Sequence, residues 1–150
     1  MKFLKLISAF NVTLATLIVA TAYINGLGCK YTMKYWLPNQ PFGVYSTCNA
    51  GQLNVGVSTG SNTILEIDGT LFSLGEYQFM LVGDVKKIAL NLTDQYPFKV
   101  NLEKNLVLTS TIKRLNANWV GIFSDSPLNV AFLAEIEGEL NMQERWRYGL

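Results

Sequence analysis

The chain has 150 residues, 12 Lys+Arg against 11 Asp+Glu, no histidine and two cysteines, and 49% of it is apolar. That length is one domain's worth, and that apolar share rules out a disordered chain. A net charge of +1 leaves no positive excess to neutralise nucleic-acid phosphates, and without imidazole there are no His-dependent triads and no His-ligated metal sites.

The first element is an apolar segment. Leu6 to Ile24 carries no charge, and Lys2 and Lys5 precede it. As a helix it reaches about 28 Å, roughly the hydrocarbon thickness of a bilayer. Thr13, Thr16 and Thr21 dilute it, but threonine hydroxyls bond back to a helix backbone and are tolerated in a span. Asn25-Gly26 then breaks the helix. Two readings stand side by side. One is a single-span anchor with both lysines in the cytoplasm. The other is a signal peptide cleaved after Ala20-Thr21-Ala22. A lipoprotein reading takes Cys29 as the lipidated residue, although Gly26 stands where a lipobox wants leucine. A buried helix of a cytosolic core is the fourth possibility, disfavoured by length and flanking lysines. Residues 1–28 are therefore the anchor or signal segment, and 29–150 the exported, periplasmic β domain. Without Lys2 and Lys5 ten basic residues face eleven acids, so the exported part is close to neutral.

Cys29 and Cys48 fit an oxidising compartment, where they close a short loop as a disulfide. In the chain-entropy description such closure stabilises by about 3 kcal/mol. Two free buried thiols are the alternative. A redox site is not indicated, because there is no C-x-x-C spacing.

Beyond Cys29, short β-rich runs alternate with turn residues. Strands are expected at Tyr31–Leu37, Gln52–Ser58, Thr63–Leu74 with a bulge at Gly69, and Glu76–Val82. After a turn at Gly83-Asp84 they continue at Val85–Thr93, Phe98–Leu102, Leu106–Arg114, Trp119–Ser124 and Leu128–Glu137. Residues 30–59, rich in Gly, Asn, Pro and Tyr, read as the least regular part. The connections are too short for crossover helices, so about eight or nine strands run antiparallel in a barrel-like or two-layer sheet. The tail after Gly138 reads as a short helix or a frayed end.

Chemistry is sparse. Glu66 and Asp68, two residues apart on one strand, share a face and form either a carboxylate pair or a solvated surface. Glu135, Glu137 and Glu139 repeat with the same period and would guard an edge strand against pairing. Tyr77, Phe79, Trp119 and Phe123 are expected to face inward, packing a core or lining a site for one small apolar ligand. Trp36 follows the membrane exit and suits an interfacial anchor or the core. Asn91-Leu92-Thr93 matches a glycosylation acceptor, but so does Asn11-Val12-Thr13 inside the apolar segment, and both are discounted. No catalytic, cofactor or metal site emerges.

The layout resembles that of FidL-like and ToxS-like small membrane proteins. The resemblance is carried by Cys29-Lys30-Tyr31-Thr32-Met33 past the span, by Gly69 and Gly75-Glu76-Tyr77, and by the run Asn118-Trp119-Val120-Gly121-Ile122-Phe123-Ser124-Asp125-Ser126-Pro127-Leu128. It implies a single-pass inner-membrane accessory protein. Such a protein binds and stabilises a membrane-tethered, ToxR-like winged-helix regulator and has no catalysis of its own. The alternative is a secreted or periplasmic barrel that binds a small apolar ligand.

Overall fold

The computed structural model describes residues 2–36, 42–59, 62–87, 107–126 and 130–148. It is mainly β: a closed eight-stranded antiparallel barrel preceded by one apolar helix. Helix α1 (Lys2–Leu27) is uncapped by charge at either end. The Thr13, Thr16 and Thr21 hydroxyls donate to the carbonyls of Ala9, Val12 and Leu17 at 2.8–2.9 Å. They thus spend their polarity on the helix itself. No described part of the barrel covers most of the apolar stretch Ile7–Leu27, which argues against a helix packed in a soluble core.

The strands are β1 (Lys30–Trp36), β2 (Phe42–Asn49), β3 (Gln52–Thr59), β4 (Asn62–Leu74), β5 (Tyr77–Lys87), β6 (Val107–Arg114), β7 (Trp119–Ser126) and β8 (Val130–Glu139). Each pairs with its chain neighbours, and β1 closes on β8, with Met33 opposite Ile136. Closure removes the edge that Glu135, Glu137 and Glu139 were expected to guard. They lie on a strand paired on both sides, in register with Lys34, Thr32 and Lys30.

Three other expectations are corrected. The first concerns residues 30–59, which are regular where described: β2 fills the interval without a predicted strand, its Val44, Ser46 and Cys48 side chains buried. The second concerns Gly83-Asp84, which makes no turn. Strand β5 runs through it, with Asp68 opposite Asp84 and Gly69 opposite Val82, so Gly83 is the extra residue of the bulge expected beside Gly69. One more residue on one strand bends that strand and is tolerated inside a continuous ladder. The third is Trp36, which ends β1 at the far end of the barrel, 67% exposed. Six residues of strand carry it about 20 Å from the helix exit, so it anchors neither membrane nor core. The expected strand Phe98–Leu102, the second half of Val85–Thr93 and the Asn91 acceptor lie outside the described residues.

The barrel has two unlike ends. At the base, where α1 enters, the Cys29–Cys48 disulfide joins β1 to β2, with Cα atoms 5.7 Å apart. The short helix α2 (Met142–Tyr148) packs across the same end. Asn141 caps it, accepting from the Glu144 amide at 2.8 Å, and Glu144 Oε2 accepts the Leu140 amide at 2.8 Å. Arg114 forms a two-pronged pair with Glu144 and also donates to the Gly138 and Ala117 carbonyls. Glycine is required at two places here. A Cβ on Gly26 would sit 2.2 Å from the Leu71 carbonyl oxygen, so α1 touches β4 backbone to backbone. Gly138 has φ +105° and would bring a Cβ within 2.0 Å of the Lys30 oxygen, a conformation essentially reserved for glycine. The opposite end, where β1, β3, β5 and β7 finish and β2, β4, β6 and β8 begin, is the mouth.

Candidate functional site

Alternation along each strand sends one set of side chains inward. Tyr31 and Met33, Ile67 and Leu71, Ile112, Val120 and Ile122, Ala134 and Ile136 are buried and form one core cluster. Their packing leaves a cavity of about 170 Å³, bordered by Tyr31, Leu71 and Gln78 on the base side and by Tyr35 and Phe132 on the mouth side. Dry engineered cavities of about 150 Å³ admit benzene, so this hollow accepts a group the size of a single ring. Its walls are mostly apolar, with Leu53, Val55, Leu65, Ile67, Leu108 and Met80 among them. At the mouth side Tyr35 and Phe132 stack with ring centres 3.9 Å apart.

A few polar groups interrupt this wall. Gln78 is 4% exposed and lines the cavity, as do Ser46, Ser110 and Ser124. The Gln78 amide has no hydrogen-bond partner among the described residues. None of the buried side-chain nitrogens and oxygens described is sealed off unpaired, so the amide fronts the hollow. An apolar pocket with a small number of convergent polar groups is the usual form of a small-molecule site. Burial pushes the Tyr31 and Tyr35 phenols well above their ordinary range, so both stay neutral donors at any physiological pH.

The four aromatics expected to line this site do not. Tyr77, Phe79, Trp119 and Phe123 are 60%, 38%, 44% and 52% exposed and stand on the outer wall. The reason is that β5 carries apolar side chains of both parities. The larger ones, Tyr77, Phe79 and Leu81, point out, and Gln78 and Met80 point in. With pattern alone the aromatic face looks like the core face. Pairing then carries the same parity across the sheet: Tyr77 lies opposite Thr111, and Thr111 opposite Phe123. The cavity residues that sequence reasoning missed, Val44, Ser46 and Gln78, are small or polar, and no local signal marks them. The even positions of β2 and β5 face inward with a period of two that includes them, as the odd positions of β1 and β3 do, but only once the register is known.

Glu66 and Asp68 do share a face, on the outer wall. The Asn54 amide donates to both, at 2.8 Å to Glu66 Oε1 and 2.7 Å to Asp68 Oδ1. Lys86 reaches Asp68 at 3.4 Å, and that hydrogen bond, with the charges of Asp68 and Glu66, holds its ammonium above the ordinary lysine range. This is a satisfied, solvated network with no group of three metal-ligating side chains among the described residues.

The outer wall of β5 to β8 holds the second candidate surface. Phe79, Leu81, Val107, Phe123 and Leu133 are all exposed there, with Leu81 paired to Val107 and Leu133 to Gly121. Scattered single apolar residues are ordinary on a surface, but a contiguous patch marks an interaction site. No protein-family model matches the chain, and no curated protein matches it.

Proposed function

We propose that the protein is a non-enzymatic accessory protein, held in the inner membrane by α1 with its barrel in the periplasm. It pairs through its outer wall with the exported domain of a membrane-tethered winged-helix regulator, and in doing so stabilises that domain. The observation that carries this reading is the apolar wall of β5 to β8. Because the barrel is closed, the contact is face to face; a partner strand has no free edge to extend. The disulfide supports an oxidising compartment, and the layout resembling FidL-like and ToxS-like proteins supplies the partner class. The test is purification of the tagged full chain from host membranes in mild detergent, with the regulator identified by mass. A Phe79→Asp/Phe123→Asp variant that keeps its circular dichroism should lose the regulator. Equal recovery with that variant sinks the wall as the contact; absence of any regulator sinks the pairing.

The cavity favours a second reading, in which the barrel takes a small apolar ligand with one hydrogen-bonding group. Gln78 supplies its amide to that group. Replacing Gln78 by Leu removes a desolvated amide, worth roughly 1 kcal/mol in stability, while abolishing binding of the ligand. A Gln78→Leu protein that binds a small aromatic probe as the parent does refutes this role.

A further inference from the structure

We infer that the base of the barrel rests in the lipid headgroup layer, and that α2, through Trp146, is a second membrane contact beside α1. This rests on α1 being a retained span. The argument starts from length. The apolar stretch Ile7–Leu27 is about 30 Å as a helix, equal to the hydrocarbon thickness it must cross. Its last residues are already part of the barrel. Ala22 is buried, the Asn25 amide donates to the Ser73 carbonyl at 3.1 Å, and Gly26 lies against the Leu71 backbone. There is no spacer between the end of the span and the base, so the base sits where the hydrocarbon ends.

The side chains at that level suit the place. Trp146 lines one surface hollow together with Thr21 and Ile24 of α1 and Leu74 of β4, and it is 80% exposed. Asn25 Oδ1 accepts the Gln143 amide at 2.8 Å, which locks α2 to the span. Around the same rim Tyr77, Leu115 and Trp119 are exposed. Tryptophan and tyrosine concentrate at the membrane interface because a ring with one polar edge fits it. Arg145 and Arg147 flank Trp146 in the last turn of α2, placed to meet lipid phosphates. The acids facing this end do not cancel them: Glu144 is taken up by Arg114, while Glu139 lies 3.4 Å from Arg145, which stays more than half exposed. Among the described residues Glu76 at the β4–β5 turn and Glu135 and Glu137 on β8 add exposed negative charge, with Lys30 and Lys34 beside the latter two on β1.

The chain's three tryptophans make the test direct. A Trp36→Phe/Trp119→Phe variant leaves Trp146 as the sole fluorophore, and a Trp119→Phe/Trp146→Phe variant leaves Trp36. Each full-length variant is reconstituted into phosphatidylethanolamine/phosphatidylglycerol vesicles whose acyl chains are brominated near the glycerol end. Flotation reports retention, and circular dichroism reports folding. The expected result is a blue-shifted Trp146 emission that loses most of its intensity to the bromines, while Trp36 at the mouth emits as in water. Water-like, unquenched Trp146 emission in protein that floats with the vesicles overturns the inference and leaves the span intact. Protein that does not float overturns the span, and this inference with it.

Discussion

At the base of the barrel almost every contact is specific and short. A disulfide ties β1 to β2, Arg114 and Glu144 pair with side chains only 14% and 11% exposed, and Gly26 and Gly138 bring backbones together with no room for a methyl group. At the mouth the wall is held by less particular means. The Tyr35–Phe132 stack is one example, and aliphatic side chains surround the hollow, which Ser110 and Ser124 border along the wall and Gln78, opposite Ser73, borders from the base. The difference is one of division of labour. The base couples helix, barrel and α2 into one piece. The mouth depends on less particular packing, and functional regions are drawn from the less stable parts of a fold.

The largest expected effect tests the base. Removing one member of a nearly buried ion pair strands the other, a loss of about 3 to 4 kcal/mol. Glu144→Ala also deprives the Leu140 amide and Arg114 of their acceptor. Its guanidinium midpoint in detergent should fall accordingly, whereas Ser124→Ala at the mouth should leave the midpoint nearly in place. Equal losses would break the contrast between the ends. Next comes the disulfide. Opening a loop of 18 residues by Cys29→Ser/Cys48→Ser costs about 3 kcal/mol in the chain-entropy description. Reduction of the parent protein should reproduce that shift, and the double variant should no longer respond to reductant.

The parts of the fold legible in the sequence are those fixed by local chemistry. The uncharged run from Leu6 to Ile24, with lysines before it and a break after it, reads first as a span or a signal. Each of β3, β4 and β6 has turn residues on both sides and a run of β-formers between them, and the two cysteines had no other partner. Parity and partnership were less legible. β2 (FGVYSTCN) turns small or polar side chains inward at Ser46 and Cys48, so it lacks the hydrophobic alternation that announces a strand. On β5 and β7 both faces carry apolar residues, and only the closure of β1 on β8 decides which face is inside. The pair Arg114–Glu144 spans 30 positions and leaves no trace in any local pattern. Trp36 and Trp146 mislead for the same reason: nearness in sequence to the span suggests the base for Trp36, whereas the topology carries Trp36 to the mouth and brings Trp146 beside α1.

A smaller effect sharpens the comparison by pH. In the unfolded chain Tyr31 and Tyr35 titrate near 10, and burial in the barrel raises both. Their neutral forms therefore contribute stability that is complete below about pH 10 and is lost as the pH rises toward the folded values. The protein should lose stability on the alkaline side, and Tyr31→Phe should flatten that fall. Tyr31 is buried within the core cluster, while Tyr35 is only partly covered at the mouth. At pH 11 both folded values still lie well above the pH, so Tyr31→Phe and Tyr35→Phe should flatten the fall by similar amounts, roughly 1 kcal/mol each. Denaturant midpoints at pH 8 and pH 11 measure it. A markedly smaller flattening for Tyr35→Phe would mean that the mouth admits water where the base does not.

The smallest expected effect lies on the outer wall, in the network of Asn54, Glu66, Asp68 and Lys86. Lys86 and Asp68 are 57% and 40% exposed at 3.4 Å, and solvent screening leaves such a pair little weight in stability. Asp68→Asn should change the denaturant midpoint by less than about 0.5 kcal/mol, because Asn54 keeps its bond to Glu66 and water replaces the rest. The substitution should also bring the Lys86 ammonium down, since the hydrogen bond to Asp68 is the first cause of its elevation; NMR titration of its Nζ reads this directly. A loss several times larger would mean that Asp68 holds β4 to β5 across the bulge at Gly83, where the ladder steps from Asp84 to Val82. The carboxylate would then be a structural clamp on the wall between base and mouth. A neutral result leaves the bulge to be held by its backbone bonds alone, and Glu66 and Asp68 to water.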